Sequence, residues 1–315
     1  MDRTILESQH STVNSPQDKL WTVVRRLLTF IRYRFMFFAG VLPYILGAAV
    51  AYRYDGKFEL FYFLVGFIGI VSVLIGVEIL NEYFDFKIGG DRVFLPNRES
   101  LSFTNRSTTG LKIAILLFIV AFCVAVYLTL TRSLWIMIFA IIGGLSAIFY
   151  LAPPIQLSYR GFGEMIIFLN YGPFMTVGSY FLQTKKVDLI AVISSLIPGF
   201  LILSLCLINE IPDYYSDKLV GKKNIVVRLG RKKTVILYII TLLFSFLILA
   251  IFIVLNNIFL SVSSLAFLTL PIALKLFLIA IRNYETPNTF ISAIRGTIFL
   301  YIIIMSLLIA SFVQK

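Results

Sequence analysis

The sequence contains very few of the side chains that soluble enzymes most often use for catalysis or metal binding. His10 is the single histidine, and the two cysteines, Cys123 and Cys206, both lie inside apolar runs. Because His10 belongs to a polar N-terminal stretch, we expect no His-ligated zinc, no haem ligation and no Ser-His-Asp triad. The two thiols predict neither a disulfide framework nor a Cys-ligated metal. Any metal must then be held by oxygen from Asp, Glu or Asn, which favours Mg²⁺.

Charged residues are also scarce. They make up 14% of the chain, hydrophobic residues make up 59%, and the mean hydropathy is +0.92. A soluble domain carries about 25% charged residues, so the composition predicts a membrane protein. The net charge of +12 would suggest a nucleic-acid partner in a soluble protein. In a membrane protein it indicates basic cytoplasmic loops, and we expect no nucleic-acid binding.

Long apolar stretches recur along the whole chain after the first 34 residues. A membrane-spanning helix needs about 20 such residues. Nine stretches qualify, at residues 35–52, 60–80, 113–130, 134–151, 165–182, 189–208, 235–255, 259–280 and 290–313. The predicted fold is therefore all-α, a polytopic membrane protein built as a bundle of about nine transmembrane helices.

The distribution of lysine and arginine predicts the orientation of the bundle. With the N-terminus inside, most of the 28 basic residues fall on the cytoplasmic side, and Lys275 lies within the eighth span. The outer side receives six basic residues, Arg53, Lys57, Arg132, Lys185, Lys186 and Lys315. This asymmetry predicts a multi-pass protein of the cytoplasmic membrane with its N-terminus inside.

The residues before the first span are polar and then basic. Residues 1–16 are rich in polar side chains and are predicted to be a disordered tail. Residues 17–34 combine an apolar stripe with an opposite basic face, which is typical of an amphipathic helix lying on the inner leaflet. A solvated linker before the membrane is the alternative. Residues 35–315 then form the transmembrane domain.

Two acidic segments stand out at the ends of the second and sixth spans. Residues 81–85 and residues 209–213 both read Asn-Glu-x-x-Asp, and the second segment continues to Asp217. On a helix, a spacing of four stacks these oxygens along one face. Four spans separate the segments, so both open on the same side of the membrane. The repeat predicts a duplicated half with two Asp-rich cytoplasmic helix ends facing each other.

Facing carboxylates at helix C-termini repel one another unless cations lie between them. With no histidine or thiol available, a pair of Mg²⁺ ions bridging a phosphate-rich ligand is the natural occupant. Basic residues beside both segments suit the remaining phosphate oxygens. A magnesium-bound diphosphate under an apolar bundle implies an isoprenyl diphosphate whose tail enters the bundle. The alternative is that these acids are solvated loop residues.

The residues around both segments resemble the UbiA superfamily of intramembrane prenyltransferases. Residues 81–85 with 89–91 resemble its first Asp-rich motif, and residues 209–217 with 221–222 and 226–230 resemble its second. The intervening residues 150–154, 159–164 and 172–173 are similar to the MenA branch. That branch attaches a polyprenyl chain to 1,4-dihydroxy-2-naphthoate in menaquinone biosynthesis. The resemblance runs from the first helix to about Lys233.

The resemblance implies a role for particular residues. The catalytic aspartates would be Asp85, Asp91, Asp213 and Asp217, with Asp91 accepting the proton of the aromatic acceptor. The Mg²⁺ ligands would be Asn81, Asp85, Asp213 and Asp217. The diphosphate would be bound by Arg92, Lys222 and Arg228. The acceptor would be bound by Tyr150, Tyr159 and Arg160. Further candidates are Glu78, Glu82 and Asn209.

Some of these roles have simpler alternatives. Asp91 follows two glycines and could be a turn residue paired with Arg92. Arg160 could be one more cytoplasmic basic residue. Glu78 could be protonated and hydrogen-bonded to a neighbouring helix.

Three positions depart from the family pattern. Glu82 replaces an Asp, Pro212 replaces an Arg, and Asn224 replaces a Thr. The departures preserve the metal chemistry and bear mainly on the acceptor. The alternatives are therefore another acceptor, such as 4-hydroxybenzoate or another lipid precursor, and a cyclase of the same superfamily. A cation-coupled transporter is more remote, because its acidic residues would lie near the bilayer midplane.

Overall fold

A computed structural model describes residues 35–88, 108–152, 154–256 and 262–314. The predicted tail 1–16 and interfacial helix 17–34 lie outside these residues. Nine long helical segments occur in the described chain. They are α1 (Phe35–Asp55), α2 (Leu60–Ile88), α3 (Thr108–Thr131), α4 (Trp135–Leu151), α5 (Gly163–Thr184), α6 (Leu189–Glu210), α7 (Arg231–Leu255), α8 (Val262–Asn283) and α9 (Pro287–Val313).

The helices have the length and composition of membrane spans. Seven of them, α2, α3 and α5 to α9, are long and apolar enough to cross a membrane, whereas α4 has 17 residues. The prediction of an all-helical polytopic membrane protein is confirmed, and each predicted span overlaps one of the nine helices. Helix α2 continues beyond its predicted end to Ile88, so Asn81 and Asp85 share one continuous helix.

Two of the long segments change helical type along their length. Helix α5 consists of Gly163–Leu169, a π-helical turn Asn170–Phe174 and Met175–Thr184. Pro173 lies in that turn, and its missing N–H removes one α-helical hydrogen bond, which allows the helix to widen locally. Helix α8 begins as a 3-10 segment, Val262–Thr269, and continues as Leu270–Asn283.

The main core lies among α1, α5, α6, α7 and α9. Helix α6 packs on α7, α1 packs on the second half of α5, and α9 packs on α1 and α8. The Tyr301 hydroxyl on α9 donates a 2.7 Å hydrogen bond to the carbonyl oxygen of Ala39, which joins the last helix to the first. Gly47 lets α1 approach the backbone of α5 at Thr176, where a Cβ atom would clash.

Helices α2 and α3 pack on each other and bury much less of their surface than α6 and α7 do. Large apolar side chains such as Leu64, Ile68, Leu116 and Phe122 remain exposed. Such surfaces are expected where helices contact lipid. Space remains between this pair, α4 and the main core.

The helices define two ends of the bundle. The site end contains the C-terminal ends of α2, α4 and α6 and the starts of α5 and α7. Three short helices, Leu157–Tyr159, Tyr214–Leu219 and Ile225–Leu229, lie in its loops. The opposite end contains the α1–α2 and α3–α4 connections and the α5–α6 loop. These connections carry four of the basic residues that the sequence assigned to the outer side, Lys57, Arg132, Lys185 and Lys186, and Arg53 lies at the end of α1 beside them.

Candidate functional site

A cavity of about 630 Å³ opens between α2, α3, α4, α5 and α6. Its deep part is lined by apolar side chains and extends to Tyr44, Leu128 and Leu182 near the opposite end. Its polar lining residues gather at the site end, where Asn81, Asn209, Glu210, Asp213 and Lys222 are joined by Glu78, Tyr150 and Tyr159. The cavity is therefore an apolar chamber with one polar end.

The four-residue spacing of the second acidic segment predicted a single helix, and this prediction is wrong. The segment is divided between two helices. Helix α6 ends at Glu210, residues 211–213 form a turn, and a new helix, Tyr214–Leu219, begins after Asp213. Pro212 has no N–H group to continue the α6 hydrogen bonds, and this explains the break. The turn redirects the chain while Asp213 still lines the cavity. The backbone N–H of Asp217 donates to the Asp213 carbonyl oxygen at 2.8 Å, so both aspartates stay on one tight turn.

Asp217 is held by two neighbours from the following loop. The Asn224 side-chain amide donates to Asp217 Oδ2 at 2.7 Å, and Lys222 Nζ lies 3.4 Å from the same oxygen. Asn224 is 1% exposed, and its Oδ1 accepts from the Val227 N–H at 2.9 Å, which caps the helix Ile225–Leu229. Asn224, one of the three residues that depart from the family pattern, thus fixes both the carboxylate of Asp217 and the start of a helix.

The first acidic segment is described only in part. Asn81 and Glu78 line the cavity from α2, opposite the α6 end. Asp85 lies further along α2, but its side chain and that of Glu82 lie outside the description. Asp91 and Arg92 lie wholly outside the described residues. The two motifs nevertheless face one cavity through Asn81, Asn209 and Asp213.

The residues proposed for the acceptor lie at the mouth of this polar end. Tyr150 and Tyr159 line the cavity, and Lys222 Nζ lies 5.8 Å from the centre of the Tyr159 ring. Arg160 lies beside them and donates to the carbonyl oxygen of Pro154 at 2.9 Å. Arg228 donates to the carbonyl oxygens of Lys223 and Arg160, so its guanidinium clamps two loops together. Neither arginine lines the cavity described here.

Two further glutamates lie at this end, and their roles were not foreseen from the sequence. Glu164, 1% exposed at the start of α5, accepts from the backbone N–H of Ile225 at 2.5 Å. Glu210 lines the cavity, and Cys206 donates to its Oε1 at 3.4 Å. The second carboxylate oxygen of each glutamate is buried without a hydrogen-bond partner in the described part of the chain. The only sequence signal was a carboxyl group at the edge of an apolar span.

These donors fit a hard cation rather than a soft one. Asn81, Asn209, Glu210 and Asp213 offer oxygen atoms to the same end of the cavity, and the unpartnered oxygen of Glu210 is still available there. Oxygen-only donor sets suit Mg²⁺. Among the residues that the structure describes, no three His, Cys, Asp or Glu side chains form a ready-made metal cluster. A complete ligand set must therefore draw on asparagines or on residues beyond those described.

Comparison with known proteins identifies the family to which this architecture corresponds. The model of the UbiA prenyltransferase family matches residues 40–306, which include every long helix of the bundle at least in part. A relative from Bacillus subtilis (strain 168), 1,4-dihydroxy-2-naphthoate octaprenyltransferase, is 27% identical over 206 residues, 63% of this chain. The match spans 64% of that relative, so more than a third of its length has no counterpart in the alignment.

Two solved structures of UbiA homologues share this fold. A UbiA homologue from Aeropyrum pernix K1 superposes with a TM-score of 0.67 at 13% identity, covering 87% of this chain and 97% of the homologue. A UbiA homologue from Archaeoglobus fulgidus, bound to GPP and Mg²⁺, gives a TM-score of 0.60 at 15% identity. The superposition covers 90% of this chain and 98% of that structure. At these identities the likeness establishes the fold.

Proposed function

Because the chain belongs to the UbiA prenyltransferase family, we propose that it transfers a polyprenyl group from an allylic isoprenyl diphosphate to an aromatic acceptor. The proposed acceptor is 1,4-dihydroxy-2-naphthoate, the substrate named for the Bacillus subtilis relative. The proposed cofactor is Mg²⁺, which the Archaeoglobus fulgidus homologue binds together with GPP.

The observation that carries this proposal is the division of the cavity into two parts. An isoprenyl diphosphate has a compact anionic head and a long apolar chain. The polar end offers Lys222 and oxygen donors for a metal-bound diphosphate head. The deep apolar part between α2, α3, α4 and α5 matches the apolar character of the prenyl chain. Pockets of this volume are typical of sites for small ligands.

The polar end can both bind and activate the diphosphate. Asp213 and Asp217 from the second motif, with Asn81 and Asp85 from the first, would hold Mg²⁺. Magnesium there would neutralise the diphosphate and improve it as a leaving group. Lys222, already beside Asp217, would contact an oxygen of the head, and Arg92 and Arg228 are proposed to complete this cationic contact.

Aromatic rings of the protein and the acceptor would then both lie next to the reactive carbon of the prenyl chain. When the C–O bond breaks, its electron pair leaves with the diphosphate and the allylic chain becomes a cation. Rings that line the cavity next to the polar end, Tyr150, Tyr171 and Phe174, can stabilise that cation through their faces. A ring carbon of the acceptor forms the new C–C bond and then loses its proton, so that the C–H electron pair restores the aromatic ring. We propose that Asp91 accepts that proton.

We further propose that the site end faces the cytoplasm of a cell membrane. Many of the described basic residues lie there, and those of the opposite end include Arg132 and Lys186, each paired with a carboxylate. In a variant with Cys123 and Cys206 replaced by Ser, a cysteine at Lys185 should react with an impermeant reagent from outside intact cells. A cysteine at Lys232 should not react, and the reverse pattern would refute the orientation.

The activity is tested with purified protein, labelled geranylgeranyl diphosphate, Mg²⁺ and a panel of aromatic acids. We expect diphosphate release that depends on 1,4-dihydroxy-2-naphthoate and stops in EDTA. Release without any acceptor would indicate a cyclase, and turnover of 4-hydroxybenzoate alone would change the acceptor. No release with any substrate would refute the prenyltransferase proposal.

The proposed location of the prenyl chain is tested by filling the cavity with a larger side chain. Gly143 and Gly144 on α4 line it, and a Cβ atom added at either would have no atom within 4 Å. Gly144→Leu should therefore fold normally but shift the preference toward shorter diphosphates. If Gly144→Leu had the same kcat/KM as the parent for every isoprenyl diphosphate in a series of lengths, the prenyl chain would bind elsewhere.

The acceptor contact is tested at Arg160. We propose that Arg160, next to the mouth of the cavity, binds the acceptor carboxylate, with Tyr150 and Tyr159 beside the ring. Arg160→Ala should raise the acceptor KM by about tenfold or more and leave the diphosphate KM nearly unchanged. An unchanged acceptor KM would remove Arg160 from the site.

A further inference from the structure

Three basic side chains on α8 and α9 have no place in the proposed reaction. Lys275 and Arg282 lie on α8 and Arg295 lies on α9, and all three are exposed. In the described chain, none of them forms an ion pair. Both helices are long and apolar enough to cross a membrane, so their exposed surface faces lipid. A charged side chain on that surface is unfavourable unless it finds a partner.

The packing of α8 on α9 brings these side chains to one face. The two helices are antiparallel neighbours, and Leu276 packs so closely on Gly296 that a Cβ atom there would clash. Lys275 and Arg295 each precede one residue of this contact. In an antiparallel pair of helices, the residues that directly precede two facing residues point to the same side of the pair. Lys275 and Arg295 therefore lie side by side on one surface. Arg282 lies two turns further along α8 on the same face.

The depth of the pair suits a lipid headgroup. At 1.5 Å per residue, Arg295 lies about 12 Å along α9 from its start at the site end. Helix α9 has 27 residues and is about 40 Å long, about 10 Å longer than the hydrocarbon core, so with both ends projecting equally Arg295 lies about 7 Å inside the hydrocarbon. A long basic side chain at that depth can extend toward the phosphates. Arg282 lies closer to the interface. The three positive charges therefore lie along one path from the interface into the hydrocarbon.

Below the positive charges, the same surface is apolar. Leu268, seven residues before Lys275, is 74% exposed, and Ile302, seven residues after Arg295, is 36% exposed. Ile272 and Phe299 flank them and are exposed to 42% and 60%. The surface thus has positive charges within reach of the headgroups and bulky apolar side chains at acyl-chain depth.

From this arrangement we propose that the α8–α9 surface is a binding site for an anionic phospholipid. One phosphate lies between Lys275 and Arg295, Arg282 contacts a second anionic group, and the acyl chains cover Leu268, Ile272, Phe299 and Ile302. Basic pockets between transmembrane helices bind lipids with two phosphates in this way, so cardiolipin is the favoured probe. The assignment is independent of the cavity and of the prenyl-transfer proposal.

The test is native mass spectrometry of the purified full-length protein titrated with cardiolipin or phosphatidylcholine. We expect one cardiolipin to bind in preference to phosphatidylcholine. Lys275→Gln combined with Arg295→Gln should weaken that binding by about tenfold or more. Lys275→Arg with Arg295→Lys should retain it, because both charges remain. Prenyl transfer in detergent without added lipid should be unchanged in both double variants.

The matched control is Lys232→Gln with Lys233→Gln, which removes two exposed positive charges from the start of α7 at the same end. We expect this variant to bind cardiolipin as the parent does. Equal loss in both Gln variants would mean general attraction to anionic lipid and would overturn the site. Unchanged binding in the Lys275/Arg295 variant, or a change in its oligomeric state without a change in lipid binding, would also overturn it.

Discussion

Two carboxylates at the opposite end of the bundle differ from two buried glutamates at the site end in how fully their charges are neutralised. At the opposite end, Asp55 and Glu59 each meet a basic residue, with Lys186 Nζ 2.6 Å from Asp55 and Arg132 2.5 Å from Glu59. At the site end, Glu164 and Glu210 each keep one buried carboxylate oxygen without a partner in the described chain. Neutralised pairs stabilise a fold, whereas unsatisfied carboxylates are unfavourable unless a ligand completes them.

The arginine at the opposite end shows how complete that neutralisation is. Arg132, with 9% of its side chain exposed, donates to the carbonyl oxygens of Leu182 and Gln183 and stacks 4.6 Å from the centre of the Tyr62 ring. It therefore joins the end of α3 to the start of α2 and the end of α5. Glu59 reinforces the same junction, because its N–H donates to Gln183 Oε1 at 2.6 Å. Function at one end and stability at the other should respond separately to substitution.

Substitution of a carboxylate that is proposed to bind metal at the site end should reduce activity more than any other change. Asp213→Asn removes a carboxylate proposed to hold Mg²⁺, and we expect transfer to fall by about a thousandfold with little change in thermal stability. The matched control is Asp188→Asn, which keeps an acceptor for the Ile190 N–H at the start of α6. Near-normal turnover by Asp213→Asn in the geranylgeranyl diphosphate assay would contradict the assignment of Asp213.

A substitution at the opposite end of the bundle should lower stability and leave turnover unchanged. Arg132→Gln loses two charge-assisted hydrogen bonds and an ion pair, and we expect the free energy of unfolding to fall by about 2–4 kcal/mol. Lys185→Gln, which alters an exposed basic residue of the neighbouring loop, should cost less than about 0.5 kcal/mol. Thermal unfolding in one detergent measures both. If Arg132→Gln lowered turnover in protein that was still folded, the division between the ends would be incorrect.

Asn224 is a stabilising residue within the site end, so its substitution should affect both stability and activity. Asn224→Ala releases Asp217 and uncaps the helix Ile225–Leu229. Losing a residue that orients a metal ligand commonly costs 10–100-fold in metal affinity or activity, so we expect the Mg²⁺ concentration for half-maximal activity to rise by about that factor.

Asn224→Thr is the informative partner variant, since Thr can cap the helix but reaches Asp217 less readily. We expect it to restore stability and only part of the Mg²⁺ response. If both variants needed no more Mg²⁺ than the parent, the Asn224–Asp217 contact would have no role in metal binding.

The helices were predictable from sequence because lipid demands continuous apolar helices, and hydropathy reports this directly. The four-residue spacing wrongly predicted one helix for the second motif, and Pro212 was the residue that could have indicated the break after α6. The contacts that organise the site were not predictable. Asn224 reaches Asp217 around a tight loop, and Glu164 meets the N–H of Ile225 across 61 positions of the chain. Neither contact leaves a periodic signal, because both depend on how loops from different helices meet.

Asp55 joins α1 to the end of α5, and substitutions in this contact should have only modest effects on stability. Tyr180 donates to Asp55 Oδ2 at 2.5 Å, and Lys186 contacts the other oxygen. Burial alone would raise the pKa of Asp55, but the hydrogen bonds from Lys186 and Tyr180 outweigh it and hold the pKa below its usual value. The charged carboxylate therefore stabilises the fold above the usual pKa near 4, and this contribution is lost as the pH falls through that value toward the lowered one.

Tyr180→Phe should accordingly lower stability by about 1–2 kcal/mol at pH 7, a shift in Tm of roughly 2–8 °C, and leave turnover unchanged. Asp55→Asn should show a comparable deficit at pH 7 that narrows between about pH 5 and pH 3, because the parent protein loses the charged interaction in that range. Parallel Tm curves for the parent and Asp55→Asn across this range would show that Asp55 is not stabilised by its charge. Reduced turnover in folded Tyr180→Phe would connect the two ends, which the helix contacts alone do not predict.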